Sequence, residues 1–320
     1  MSVIGSEREL SSDDAWAMPL AHIQRVLASS WLEALGAVAA AIALKKGVAS
    51  PVEGEVSDGA LNFAELLLTG ERKAILLGNA AAHHAHASSL LALANWIALQ
   101  TGASVGYLTE AANTVGAQLV HAQPGAGGLN TAQMLDGSGA LKALFLLNNE
   151  PEFDSFAGSE AGARINPVQM VVTMSPFKAN LRMSDVLLPI APFTETPGTF
   201  VNAEGRVQSF HAVVKPLGEA RPAWKILRVL ANLFKLPGFD FESSQDVLAK
   251  VAGLVDGRVS ASLLSNVSQA AMTPAAGAGV AGVPVVASIY QLDGVVRRAT
   301  SLQLTRDARL ASSQAEEVAA

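Results

Sequence analysis

At 320 residues and 33.0 kDa, with 50% of residues hydrophobic and 16% charged, the chain can bury a substantial core, and its charge content falls below the roughly 25% of an average soluble domain. A net charge of −6 without a basic run argues against a nucleic-acid partner, which needs clustered Lys and Arg to neutralise phosphate. The sequence has no cysteine, which excludes disulfides, thiol nucleophiles and thiolate-held zinc or iron–sulfur centres within this chain.

Residues 1 to about 60 begin with a polar segment carrying Glu7, Glu9, Asp13 and Asp14, the wrong chemistry for a targeting peptide. An amphipathic helix is expected from about Leu20 to Leu44, with Leu27, Trp31, Leu35 and Val38 on its apolar stripe, followed by a Pro/Gly break over 46–54. Its strictly apolar part, Ala34 to Leu44, falls short of the roughly 20 residues of a spanning helix, so no direct membrane span is expected. We read 1–60 as the helical remnant of a truncated domain, with the stripe left to pack against an adjacent subunit.

Residues 61–258 read as an α/β domain. Short apolar runs at Ala74–Gly78, Ser104–Leu108, Ala143–Leu147, Val168–Thr173 and Val186–Ile190 have the continuous character of parallel strands covered on both faces. Between them, Leu90, Leu93, Ala94 and Ile97 share one face of a helix stopped by Gly102, and shorter helices fit Asn113–Leu119 and Asn130–Leu135. Pro222 opens an amphipathic helix with Trp224, Leu227, Ala231 and Phe234 on one stripe, and another helix is expected from Ser244 to Val255. Residues 259–285 are an Ala/Gly/Pro linker, and 286–320 form a tail with short strand segments. The expected class is α/β: a doubly wound, mostly parallel sheet with flanking helices and a short β or irregular C-terminal tail.

Polar loops gather at the carboxyl ends of these strands, where α/β sheets keep their sites. The loops at Gly78-Asn79 and Asn148-Asn149-Glu150, and the turn-rich run from Glu195 to Arg206, line that edge. His83, His84 and His86 lack the i, i+4 spacing of a helical metal pair, so a solvated loop is expected and no metal site. Asp185, Glu195 and Glu204 suit ion pairs or turn hydrogen bonds with Arg182 or Arg206 better than acid/base chemistry, and Gly198 and Gly205 suit turns better than a phosphate cradle. No catalytic residue is assigned.

The segment Asp185-Val-Leu-Leu-Pro189 followed by Glu195, Gly198-Thr199, Asn202 and Glu204-Gly205-Arg206 resembles the hallmark of the molybdopterin oxidoreductase superfamily. The longer run through Glu204-Gly-Arg-Val-Gln-Ser-Phe210 and Val214-Lys-Pro-Leu-Gly-Glu-Ala-Arg-Pro222, with Val295-Val-Arg-Arg298 near the end, is similar to the large iron–sulfur subunit of NADH-quinone oxidoreductase, respiratory complex I, in its molybdopterin-oxidoreductase-like C-terminal half. The resemblance implies a non-catalytic structural domain of the peripheral arm, partnered by other complex I subunits and peripheral to the cytoplasmic side of the bacterial inner membrane. Iron–sulfur clusters would belong to the N-terminal half that is not matched here, and no cofactor is expected in this chain, molybdopterin included. Asn79, Asn148, Glu195, Thr199, Asn202, Glu204 and Arg206 would be the remnants of a pterin crevice. A fragment of a catalytic molybdopterin-dependent oxidoreductase is the alternative.

Overall fold

A computed structural model of the chain describes residues 1–5, 19–108, 111–136, 141–155, 157–263 and 289–309. Two compact units form within them, unit 1 over residues 1–108 and unit 2 over 111–263 with 289–309.

Unit 1 pairs β1 (Ser2–Gly5) in parallel with β2 (His22–Arg25), and β3 (Ala74–Leu77) in parallel with β4 (Ser104–Tyr107). Its helices are α1 (Trp31–Lys46), α2 (Asp58–Thr69), the short α3 (Asn79–Ala82) and α4 (Ala87–Thr101). Ser57 starts α2 by accepting the Ala60 N–H at 3.2 Å, and Gly47 and Gly102, at φ +66° and +72°, end α1 and α4 in the left-handed conformation that glycine adopts without steric cost. The helix expected from Leu20 to Leu44 is corrected at its start: residues 22–25 are a strand, and the helix begins at Trp31. Nor is it striped. Val38, Ala39, Ala41 and Ile42 are all buried, because the alanine-rich helix packs against both α2 and α4, while Leu27 precedes it and is 75% exposed. The run Ala28–Lys46 is long and apolar enough to cross a membrane by length and composition alone, and much of it is buried inside this unit.

In unit 2, α5 (Thr114–Leu119) and α6 (Thr131–Leu135) precede β5 (Ala143–Leu147), α7 (Pro151–Asp154), α8 (Ala161–Ile165), β6 (Met170–Ser175) and β7 (Val186–Pro189). These strands form one parallel sheet in the order β5-β6-β7, with Ala143 opposite Met170 and Val172 opposite Val186. The α/β class with parallel strands is therefore as the sequence leads one to expect, and the central strand β6 is covered on both faces, with Val171 and Thr173 buried on one and Val172 and Met174 on the other. Leu146, Ile165 and Val171 share a buried cluster on one face, whereas Phe145 and Leu147 are nearly half exposed on the other. Cover thins toward the outer strands, where Phe145 and Leu147 of β5 and Val186 of β7 are exposed.

The connection from β6 to β7 is held by a polar network. Asn180, at φ +57°, donates through Nδ2 to the Asn149 carbonyl at 2.8 Å, and Ser184 Oγ lies 2.7 Å from the Oγ1 of fully buried Thr173. Asp185 Oδ2 accepts the Val171 N–H at 2.7 Å, so the carboxylate closes the sheet edge and does not pair with Arg182. Replacing Asn180 by Ala is expected to cost about 1–2 kcal/mol in urea unfolding, since it orphans the Asn149 carbonyl and puts a β-carbon residue with no local hydrogen bond at positive φ.

An antiparallel hairpin follows, β8 (Gly198–Val201) with β9 (Val207–Phe210), then α9 (Ala223–Leu233), α10 (Ser244–Leu248) and the small hairpin β10 (Leu254–Val255) with β11 (Arg258–Val259). The helix expected to continue to Val255 ends at Leu248, and Gly253, Asp256 and Gly257, all at positive φ, turn the chain through the β10–β11 hairpin beyond it. The remainder of the expected linker, from residue 264, lies outside the described residues. The tail expected as short strands is helical where it is described: α11 (Ile289–Leu292), α12 (Gly294–Arg298) and α13 (Thr300–Gln303). Asp293 decides this by capping α12, its carboxylate accepting the N–H groups of Val295 and Val296 at 2.7 and 3.2 Å.

Candidate functional site

The run from Glu195 to Arg206 lies immediately after β7 and becomes a short 3-10 turn, Phe193–Glu195, leading into the β8–β9 hairpin. Gly198 is required there by close approach, because a β-carbon would lie 2.5 Å from the Phe210 ring across the hairpin, where Phe210 also meets Phe200 edge-on at 5.2 Å. Thr199 Oγ1 pairs with Ser209 Oγ at 3.0 Å on the same rung. The hairpin is docked on α5 through Asn113, whose Oδ1 accepts the Val201 N–H at 2.8 Å.

Asn202 builds the turn itself. Its Oδ1 accepts N–H groups from Glu204 at 3.1 Å and Arg206 at 2.9 Å, and Gly205 takes φ +74°. Glu195 turns away and accepts the Leu217 N–H at 3.1 Å. Of the ion pair or turn hydrogen bond expected at Arg206, the structure shows the turn bond alone: its side chain is exposed, as is that of Glu204, and among the described residues no acid lies within ion-pair reach of its guanidinium. The reason is that the Asn202 side chain already satisfies the turn's backbone donors. Asn202→Ala is therefore expected to lose about 1–2 kcal/mol of stability, and Arg206→Ala to stay within about 0.5 kcal/mol of the parent, by urea denaturation of the two variants in parallel.

Thus Glu195, Thr199, Asn202, Glu204 and Arg206 are brought to one hairpin of unit 2. Asn148 lies in the same unit at the carboxyl end of β5, at φ +48°, with its N–H donated to the Met174 carbonyl at 2.8 Å. Asn79 is in unit 1, the first residue of α3 at the carboxyl end of β3, and its Nδ2 is buried without an acceptor among the described residues. An open cleft of about 290 Å³ beside the hairpin is lined by Pro197, His211, Trp224, Lys225, Glu242 and Ser243, and contains none of the predicted residues.

The densest charged group at this edge was legible only in part. Glu150, in the loop after β5, receives Arg298 in a two-pronged grip, Nη1 and Nη2 each at 2.8 Å, and Arg297 Nη2 at 3.0 Å. Arg297 Nη1 also reaches Asp154 at 2.8 Å and the Gln291 carbonyl at 2.6 Å. The Arg297 guanidinium stands over Phe153 at 4.9 Å, and that of Arg298 over Phe177 at 4.2 Å. The hydrogen bond from Arg298 holds the Glu150 carboxyl below its ordinary range, against an opposing effect of burial and with further help from Arg297. Burial disfavours the charge on Arg297, but Asp154 and Glu150 outweigh it and raise its pKa. A pair of adjacent arginines in a chain of low charge content was the available signal.

The histidines depart from expectation. His84 is buried, not solvated: its Nδ1 accepts the His86 N–H at 3.0 Å, so its Nε2 carries the proton and donates to the Ala28 carbonyl at 2.9 Å, with the ring stacked on Trp31 at 5.6 Å. Among the described residues, no group of three or more His, Asp or Glu side chains is placed to hold a metal ion.

The sequence model of the molybdopterin oxidoreductase family matches residues 54–233. The chain is 31% identical over 172 residues to the NADPH-Fe(3+) oxidoreductase subunit alpha of Geobacter sulfurreducens, covering 50% of this chain and 20% of that subunit. It is 33% identical over 132 residues to a Staphylococcus aureus protein provisionally named a formate dehydrogenase, covering 40% and 13%. With the Bacillus subtilis protein YjgC, provisionally named an oxidoreductase, it shares 31% over 118 residues, covering 37% and 12%. The chain spans a fifth or less of the length of these relatives.

A pterin cofactor is what this family implies, and the groups present in unit 2 do not fit one. Glu195 and Asn202 are committed to backbone N–H groups of their own loops, and the Asn148–Glu150 end of the sheet is filled by Arg297 and Arg298. The unpartnered Nδ2 of Asn79 is a single donor and is not enough to cradle a dinucleotide.

Proposed function

The chain belongs to the molybdopterin oxidoreductase family, and on that premise we propose that it is a non-catalytic structural domain of the peripheral arm of an NADH:quinone oxidoreductase. In this reading the whole complex carries electrons from NADH to quinone, and this chain supports it from the cytoplasmic side of the bacterial inner membrane, in contact with other peripheral-arm subunits. It holds neither an iron–sulfur cluster nor a pterin.

The observation that supports a structural role is the use of the hallmark polar groups. Asn202, Glu195 and Thr199 are all bonded within unit 2 itself, which commits these groups to organising a loop. The absence of any cysteine removes the usual cluster ligands. The link to complex I is supported by the residue pattern from Glu195 to Pro222 and at Val295–Arg298. A second reading, a fragment of a catalytic molybdopterin-dependent oxidoreductase, is favoured by the names of the relatives, which are oxidoreductases and formate dehydrogenases.

Purification from native membranes separates the two. The structural reading expects the chain to travel with NADH dehydrogenase activity and the isolated chain to contain neither iron nor molybdenum by elemental analysis. Stoichiometric molybdenum, with no association with that activity, would establish the second reading.

A further inference from the structure

The group formed by Glu150, Asp154, Arg297 and Arg298 joins the C-terminal segment to the carboxyl ends of β5 and β6, where this fold class binds ligands. The fit is close. A β-carbon on Gly294 would lie 3.3 Å from Glu150 Oε1, a tight contact, and 3.4 Å from the Phe177 ring, so a side chain larger than a methyl group has no room there without displacement.

What holds the segment is charge and ring contact, with little apolar burial. Ile289, Leu292, Val295, Leu302 and Leu304 are each at least 40% exposed, and Ala308 is its only buried residue among those described. A segment held in this way can leave without opening a core, and salt acts on its hold first through Arg298, the most exposed of the four charges, while Glu150, Asp154 and Arg297 are largely buried. The face it would leave carries two carboxylates, Glu150 and Asp154, beside two aromatic rings, Phe153 and Phe177. Carboxylates accept a planar guanidinium in paired hydrogen bonds and rings stack beneath it, a combination suited to arginine and not to lysine.

We propose that Ile289–Arg309 is a releasable ionic strap, and that the β5–β6 face beneath it is a receptor for paired arginines, filled in cis by Arg297 and Arg298. While the strap is docked, that end of the ligand crevice is closed. The inference rests on unit 2 alone and stands under either reading of the function.

Amide hydrogen exchange on the full chain tests it. Arg297 and Ala299, whose N–H groups bond to Asp293 and Val296, report on the strap, and the β6 amides report on the sheet. Raising NaCl to about 1 M, where the screening length falls to about 3 Å, should speed exchange in the strap at least about tenfold and leave β6 protected. Gly294→Leu should do the same at low salt with every charge intact. A synthetic peptide of residues 289–309 should bind the Arg297→Ala/Arg298→Ala chain but not the parent, and a peptide with both arginines replaced by Gln should bind neither. Strap protection that survives both salt and Gly294→Leu, or two peptides that bind alike, overturns the proposal.

Discussion

Trp31→Asp is expected to destabilise unit 1 by about 4 kcal/mol, enough to unfold many domains of this size. The indole is buried at the start of α1, stacked on His84, and belongs to the same core as Val38, Ile42, Phe63 and Leu93. Deleting a buried Trp leaves a cavity that its neighbours fill only in part, and the new carboxylate would lie among apolar groups without a cation. Had α1 carried an exposed docking stripe, the same change would have improved solubility at little cost. Urea unfolding followed by amide hydrogen exchange of α1 and α4 distinguishes the outcomes: a collapsed midpoint supports a core helix, and an unchanged midpoint with less self-association restores the exposed stripe.

Glu150→Ala should cost unit 2 about 2 kcal/mol. That lies below the roughly 3–5 kcal/mol of breaking a buried pair, because Arg298 is partly exposed and both arginines can lift back into water. The effect carries a pH signature. The Glu150 carboxyl titrates below its ordinary value of 4.5 in the folded chain, facing Arg297 and Arg298 with Asp154 alongside. Its contribution is therefore complete above pH 4.5 and is lost as the pH falls through the lower, folded value. Unfolding free energies measured across this range should fall more steeply for the parent than for Glu150→Gln. Equal slopes would place the acid sensitivity elsewhere.

How far the sequence could be read depended on whether a signal was local. Leu90, Leu93, Ala94 and Ile97 lie on one helical face, and all four are buried, because period and packing agree there. The β5, β6 and β7 segments were legible as apolar runs for the same reason. The hairpin turn was legible from Asn202 and Gly205, whose chemistry acts within four residues. By contrast, α1 is alanine-rich on every side, and a stripe drawn through Leu27 and Leu35 had nothing polar opposite to contradict it. His84 looked solvated because its partners, Ala28 and Trp31, are more than fifty residues away. The Glu150 grip joins residues 148 apart, and no periodicity carries that information. For Arg206, the motif left an ion pair and a turn hydrogen bond open, and the Asn202 side chain, by taking the Arg206 N–H, makes it the turn bond.

The same span of sequence orders events in time. The β6–β7 edge is closed by Asp185 and Val171, fourteen residues apart, so the sheet can form from chain neighbours at low cost in loop entropy. Arg297 must find Glu150 across 147 residues, after that sheet exists to receive it. The strap is thus the last part to arrive and the first to go. Weakening it should quicken unfolding while leaving the refolding rate nearly untouched, so that its contribution is to the lifetime of the native state and not to the speed of reaching it.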